Sequence, residues 1–74
     1  MNLNNNNIFI IGFGERVVSD IFPVINEIYD LRNIRIFSQS PRVENISGTL
    51  IESLSLDTLN LHFQLYKPKH IIIS

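Results

Sequence analysis

The apolar positions of this chain fall into short dense runs separated by turn chemistry. Ile8-Phe9-Ile10-Ile11 is one such run, rich in β-branched residues and ending at Gly12. Continuous apolar runs of this length fit strands buried on both faces, as in a parallel sheet. Gly12-Phe13-Gly14 breaks the run, and the period then changes. Val17, Val18, Ile21, Val24, Ile25 and Ile28 recur at helical spacing, with Glu15, Arg16, Asp20, Glu27 and Asp30 between them. This pattern predicts an amphipathic helix over 15–31, of about four turns. Pro23 lies inside it, removes one backbone donor and predicts a kink or a tight packing point.

Asn33 reads as a turn or helix stop, and Ile34-Arg35-Ile36-Phe37 as the next strand. A polar loop follows, Ser38-Gln39-Ser40-Pro41-Arg42. Between Val43 and Leu56 the pattern is weak: Ser47-Gly48 suggests a turn, and Leu50-Ile51-Leu54 a helical turn. The segment 57–66 supports two readings. Leu59, Leu61, Phe63 and Leu65 alternate as in a strand, and a strand here would give a mixed sheet. Asp57 as an N-cap and Lys67-Pro68 as a basic end and stop frame a helix instead. The helix is preferred because His70-Ile71-Ile72-Ile73 is an evident buried strand immediately afterwards. The order β-α-β-α-β then predicts an α/β fold around a three-stranded parallel sheet.

Composition narrows the classes. The chain has 74 residues, one small domain or part of a larger one, and 45% of them are hydrophobic against 18% charged, which argues against disorder. Met1 to Asn7 holds five Asn and reads as a loose lead-in. There is no cysteine, so neither a disulfide framework nor a thiolate metal site can brace the fold. A net charge of −1 gives no electrostatic pull towards nucleic acid or anionic membrane. No apolar run approaches the roughly 20 residues of a membrane span, and no signal-peptide pattern is visible. A cytoplasmic chain is expected, unusually apolar for its size.

The strongest chemical feature is the arrangement strand, Gly12-x-Gly14, helix. A dinucleotide site needs a first glycine for the tight turn and a second so that backbone can approach the pyrophosphate. The first amides of the helix then face the anion, with Gly12, Phe13, Gly14, Glu15 and Arg16 around it. Val17 stands where a third glycine is usual, so the fingerprint is incomplete, and the two glycines can equally be read as only turning the chain. At the end of the second strand, an NAD site would carry an acidic residue for the ribose hydroxyls. Ser38 stands there, followed by Ser40 and Arg42. Two hydroxyls and a guanidinium would donate hydrogen bonds to a 2′-phosphate that a carboxylate would repel, which favours NADP over NAD. The competing reading is ordinary loop chemistry with a solvated Arg42.

The run Ile10-Ile11-Gly12-Phe13-Gly14-Glu15-Arg16-Val17, with Pro23 before Val24-Ile25, resembles the start of the glucose–fructose oxidoreductase and inositol dehydrogenase family. Lys67-Pro68-Lys69-His70-Ile71-Ile72-Ile73 is similar to that family's third strand. The resemblance covers 8–42 and, more loosely, 67–74. It implies a Rossmann-like half over 8–74, a partial dinucleotide-binding domain, with hydride transfer at a sugar, polyol or related carbonyl. The family's catalytic lysine motif and its substrate domain have no counterpart here. The chain is therefore expected to hold an NADP site, no catalytic residue and no metal, and to be a truncated, inactive part of an oxidoreductase. An alternative from another class is a small α/β interaction or regulatory module that binds no cofactor and dimerises through an apolar sheet edge. His62 and His70 share no ligand-like spacing with acidic residues, and Ser19 has no base partner. No phosphate-loop lysine motif is present. Both faces of each expected strand are apolar, so self-association or a missing C-terminal domain is expected to complete the cover.

Overall fold

The computed structural model describes residues 6–74. At its centre lies β1 (Ile8–Ile11), whose Ile8, Phe9 and Ile10 are buried on both faces. β2 (Ile34–Ser38) pairs with one edge of β1, Ile10 opposite Ile36, and β6 (His70–Ile73) pairs with the other, Ile10 opposite Ile72. Between β2 and β6 the chain forms β3 (Val43–Ile46), β4 (Thr49–Glu52), the two-residue β5 (Leu54–Ser55) and helix α2 (Leu59–Tyr66). β5 joins the far edge of β2, so the main sheet is parallel, with four strands in the order β5-β2-β1-β6. The α/β class agrees with the sequence reading; the expected count of three strands becomes four.

A helical run fills 15–28, ending in α1 (Phe22–Ile28). Its middle, Val17–Ile21, is a π-helical stretch, and the Phe22 amide bonds back to the Val17 carbonyl. A proline ring collides with the carbonyl four residues before it, and widening the turn relieves that contact. Pro23 thus leaves its mark as a π stretch just before it. The helix ends earlier than the expected Leu31, because Tyr29 is extended and the Asp30 carboxylate accepts the Arg32 amide to open a 3-10 turn at Leu31–Asn33.

Parallel neighbours need a crossover, and from β2 to β5 the antiparallel β3–β4 hairpin supplies it. Ser47 and Gly48 both have positive φ, 54° and 88°, as a two-residue hairpin turn requires. The expected turn is therefore present, whereas the expected helical turn at Leu50-Ile51-Leu54 is strand. α2 is helical as preferred, but Asp57 does not cap it. Asp57 lies in a 3-10 turn at Leu56–Thr58, where the Ser55 hydroxyl accepts its amide, and Thr58 precedes α2 without a side-chain cap. Lys67 closes it in the left-handed region.

The two faces of the sheet are covered differently. On one, Ile10 and Ile36 pack with Phe13, Val17 and Phe22 from the helical run and with Ile46 and Ile51 from the hairpin. On the other, Phe9 and Phe37 meet at 5.0 Å between ring centroids, and His62 of α2 sits edge-on to Phe37 at 5.5 Å. Each buried Phe or Ile contributes about 1.5–3 kcal/mol relative to exposure. β6 is less covered, with Ile73 79% exposed. The expected loose lead-in is corrected at its end. Asn7 donates to the Tyr66 carbonyl, and its own carbonyl accepts the Lys69 amide. Residues 1–5 lie outside the described residues. Among the described residues, no helix is long and apolar enough to cross a membrane.

Candidate functional site

The carboxyl ends of the parallel strands open onto a cleft of about 380 Å³, lined by Ile11, Gly12, Phe13, Gly14, Ser38, Gln39, Ser40, Arg42, Leu56 and Ser74. Six of the eight residues expected to bind a cofactor line it: Gly12, Phe13, Gly14, Ser38, Ser40 and Arg42. Glu15 and Arg16 do not. They are exposed at the start of the helical run, outside the lining.

The two glycines do different work. Gly12 has φ +115°, its amide donates to the Phe37 carbonyl at 2.7 Å, and a Cβ on it would stand 2.8 Å from the Ser74 carbonyl oxygen. Its lack of a side chain is demanded by the sheet itself, where β1 ends between β2 and β6. At Gly14, φ lies outside the left-handed region and a Cβ would meet no described atom within 4 Å. The Gly14 carbonyl accepts the Val18 amide at 3.1 Å, the first bond of the helical run. In this geometry the amides of the first turn have no partner within the helix. Phe13, between the glycines, is buried in the core under the helix.

The opposite wall is held by a buried pair of hydroxyls. Ser38 and Ser53 Oγ lie 2.9 Å apart, and Ser53, 1% exposed, also accepts the Arg42 amide at 3.0 Å. The Ser53 amide in turn donates to the Arg42 carbonyl at 2.9 Å. The loop 38–42 is thereby pinned to the strand ends at both its borders. The Ser38 hydroxyl, expected to face a ligand, is instead buried and engaged with Ser53. Ser40 and Gln39 are exposed on the loop.

Arg42 crosses from this wall to the glycine turn. Its Nη2 donates to the Phe13 carbonyl, and its guanidinium carbon stands 4.8 Å from the Phe13 ring centroid. Its Nε donates to Glu44 Oε2 at 2.7 Å, with both side chains about two-fifths exposed. Arg42 is the one charged side chain among the lining residues.

Sequence reasoning missed Ser53, Glu44, Gln39, Leu56 and Ser74. The signal available for the first two was the Ser47-Gly48 turn: flanking segments of equal length would have paired as a hairpin and brought Glu44 and Ser53 back towards Arg42. The other candidates are accounted for structurally. His62 Nδ1 lies 2.9 Å from the Thr58 carbonyl, its ring stacks on Tyr66, and the Ser19 hydroxyl donates to the Glu15 carbonyl. Comparison with known proteins found no matching family model, no similar curated protein and no similar solved structure.

Proposed function

We propose that the cleft binds a dinucleotide, with the pyrophosphate over the Gly12-Phe13-Gly14 turn and the adenosine end towards the 38–42 loop. The observation that carries this reading is Gly14. It lines the cleft, its backbone angles suit any residue, and the space its Cβ would fill is empty of described atoms. The fold does not call for glycine at this position, whereas close approach of an anionic ligand to the backbone does. The strand order supports the same placement. From β1 the chain moves out to β2 and β5, then returns past both to β6, so the order reverses at β1, where open α/β sheets place their ligands.

In this reading the architecture is Rossmann-like, and the family resemblance of the glycine turn gives it a chemistry. The chain supplies NADP binding to an oxidoreductase that moves a hydride to or from a sugar, polyol or related carbonyl. Bound NADP would supply the hydride chemistry. The chain's own residues bind and orient the cofactor and contribute no catalytic side chain. A 2′-phosphate would be taken by Ser40 and Arg42, since Ser38 is spent on Ser53. Isothermal calorimetry with NADPH and NADH tests both parts. The expected result is binding of both, with NADPH tighter. No binding of either at millimolar concentration rejects the site, and tighter binding of NADH rejects the phosphate assignment.

One observation favours a second reading, a module that assembles with a copy of itself. Among the described residues β6 ends the sheet with an unpaired edge, Ile71 and Ile73 are exposed beside it, and His70 to Ile73 includes no Lys, Arg, Asp, Glu or Pro to oppose pairing with an identical strand. Sedimentation of the chain and of Ile71→Pro separates the readings, because the Ser74 amide bonds to the Ile11 carbonyl and strand alternation then turns the Ile71 amide to the free edge. A concentration-dependent dimer lost in the variant supports self-association, and a monomer at all concentrations rejects it.

A further inference from the structure

We propose that Glu44 sets how strongly the cleft selects the phosphorylated dinucleotide, by holding the Arg42 guanidinium in competition with the ligand. The proposal rests on the dinucleotide reading above. Glu44 lies on β3 across from Ile51 and two residues before Ile46, and both isoleucines are buried against the helical run. By strand alternation Glu44 belongs to this inward side of the hairpin, where an apolar residue would extend the core. It is instead a carboxylate, placed where it meets Arg42 at 2.7 Å. Two of the guanidinium's groups are thus committed, Nε to Glu44 and Nη2 to the Phe13 carbonyl, which leaves Nη1 without a contact among these. A phosphate can take the Nε–Nη2 fork only by displacing the carboxylate, and otherwise meets the Nη1 edge while Glu44 stays in place. The carboxylate also offsets the one charged side chain in the lining, so the field that would distinguish NADPH from NADH is weakened at its source.

The other ion pair among the described residues, Arg32 with Asp30 at 3.0 Å, precedes β2 and so lies at the opposite end of the sheet from the cleft. Removing its carboxylate changes the net charge equally but leaves Arg42 alone. It is the natural control.

The experiment measures dissociation constants for NADPH and NADH with the unaltered chain, Glu44→Gln, Asp30→Asn and the double variant Glu44→Gln/Arg42→Met. Glu44→Gln is isosteric, and circular dichroism checks that it retains the fold. The expected result is a gain of about two- to fivefold in NADPH affinity for Glu44→Gln, in the range of a partly exposed ion pair. NADH binding should change much less, Asp30→Asn should leave the ratio where it was, and adding Arg42→Met should remove the gain. An unchanged NADPH-to-NADH ratio in Glu44→Gln, or a gain that survives Arg42→Met, overturns the proposal while leaving dinucleotide binding intact. If neither dinucleotide binds any of the chains, the dinucleotide reading and this proposal fall together. A second readout is independent of affinity: the Arg42 Nε–H resonance should move on Glu44→Gln and move again on addition of NADPH.

Discussion

The two walls of the cleft are built on different principles. The β1 wall is local: strand, glycine turn and helix follow one another within a few residues, with Phe13 and Val17 anchoring them in the core. Gly12 closes against Ser74 and Phe37, while Gly14, two residues on, faces open space. The loop wall is assembled from distant parts of the chain. Ser38, Arg42 and Ser53 meet only because the hairpin folds back, and a buried hydroxyl pair joins them. The surface of the cleft can therefore change at Gly14 without changing the fold, whereas at Gly12 and across the loop wall it cannot. A cleft with one open, backbone-lined wall and one locked wall is suited to receive an anion on the first and to position polar side chains on the second.

Substitutions can break this contrast, and the largest effect is expected where geometry is tightest. Gly12→Ala forces a side chain into positive φ and against the Ser74 carbonyl, and should cost about 2 kcal/mol or more in chemical denaturation. A cost near zero would mean that the β1 wall is looser than described. Next comes Ser53→Ala, which strips a hydrogen bond from the Arg42 amide and one from the Ser38 hydroxyl in a buried place. It should cost about 1–3 kcal/mol and raise amide exchange at Arg42. Smallest for stability is Gly14→Ala, expected within about 0.5 kcal/mol of the unaltered chain. Yet this same change should weaken NADPH binding more than Ser53→Ala does, because it fills the space kept for the ligand. Equal effects of Gly12→Ala and Gly14→Ala on stability would erase the distinction between the two glycines.

The same contrast explains what could be read from the amino-acid order. The central strand, the glycine turn, the following helix and the strand at His70–Ile73 announce themselves through dense apolar runs and a change of period, all local properties. The helix at Leu59–Tyr66 needed the strand after it to decide between two periodicities that its own residues satisfy equally well. The hairpin was obscure because Val43-Glu44-Asn45-Ile46 mixes strand formers with residues depleted in strands. β5 could not register at all, since two residues carry no period and its place depends on pairing Leu54 with Phe37 and Ser55 with Ser38. For the site, the glycine turn was visible and six of eight expected residues line the cleft. The use of Ser38 was misread for a physical reason: its partner Ser53 lies 15 residues away, and nothing local marks a serine as half of a buried pair.

The central claim is that the strand-end cleft receives a dinucleotide with its pyrophosphate on the open wall. A residue-resolved amide NMR titration with NADPH tests it most directly. The account predicts progressive shifts concentrated at Gly12, Phe13, Gly14, Glu15, Ser40 and Arg42, with Ile28, Asp30 and Asn33 at the other end of the sheet unmoved. Shifts confined to β6, or a spectrum that stays unchanged at millimolar NADPH, would contradict it.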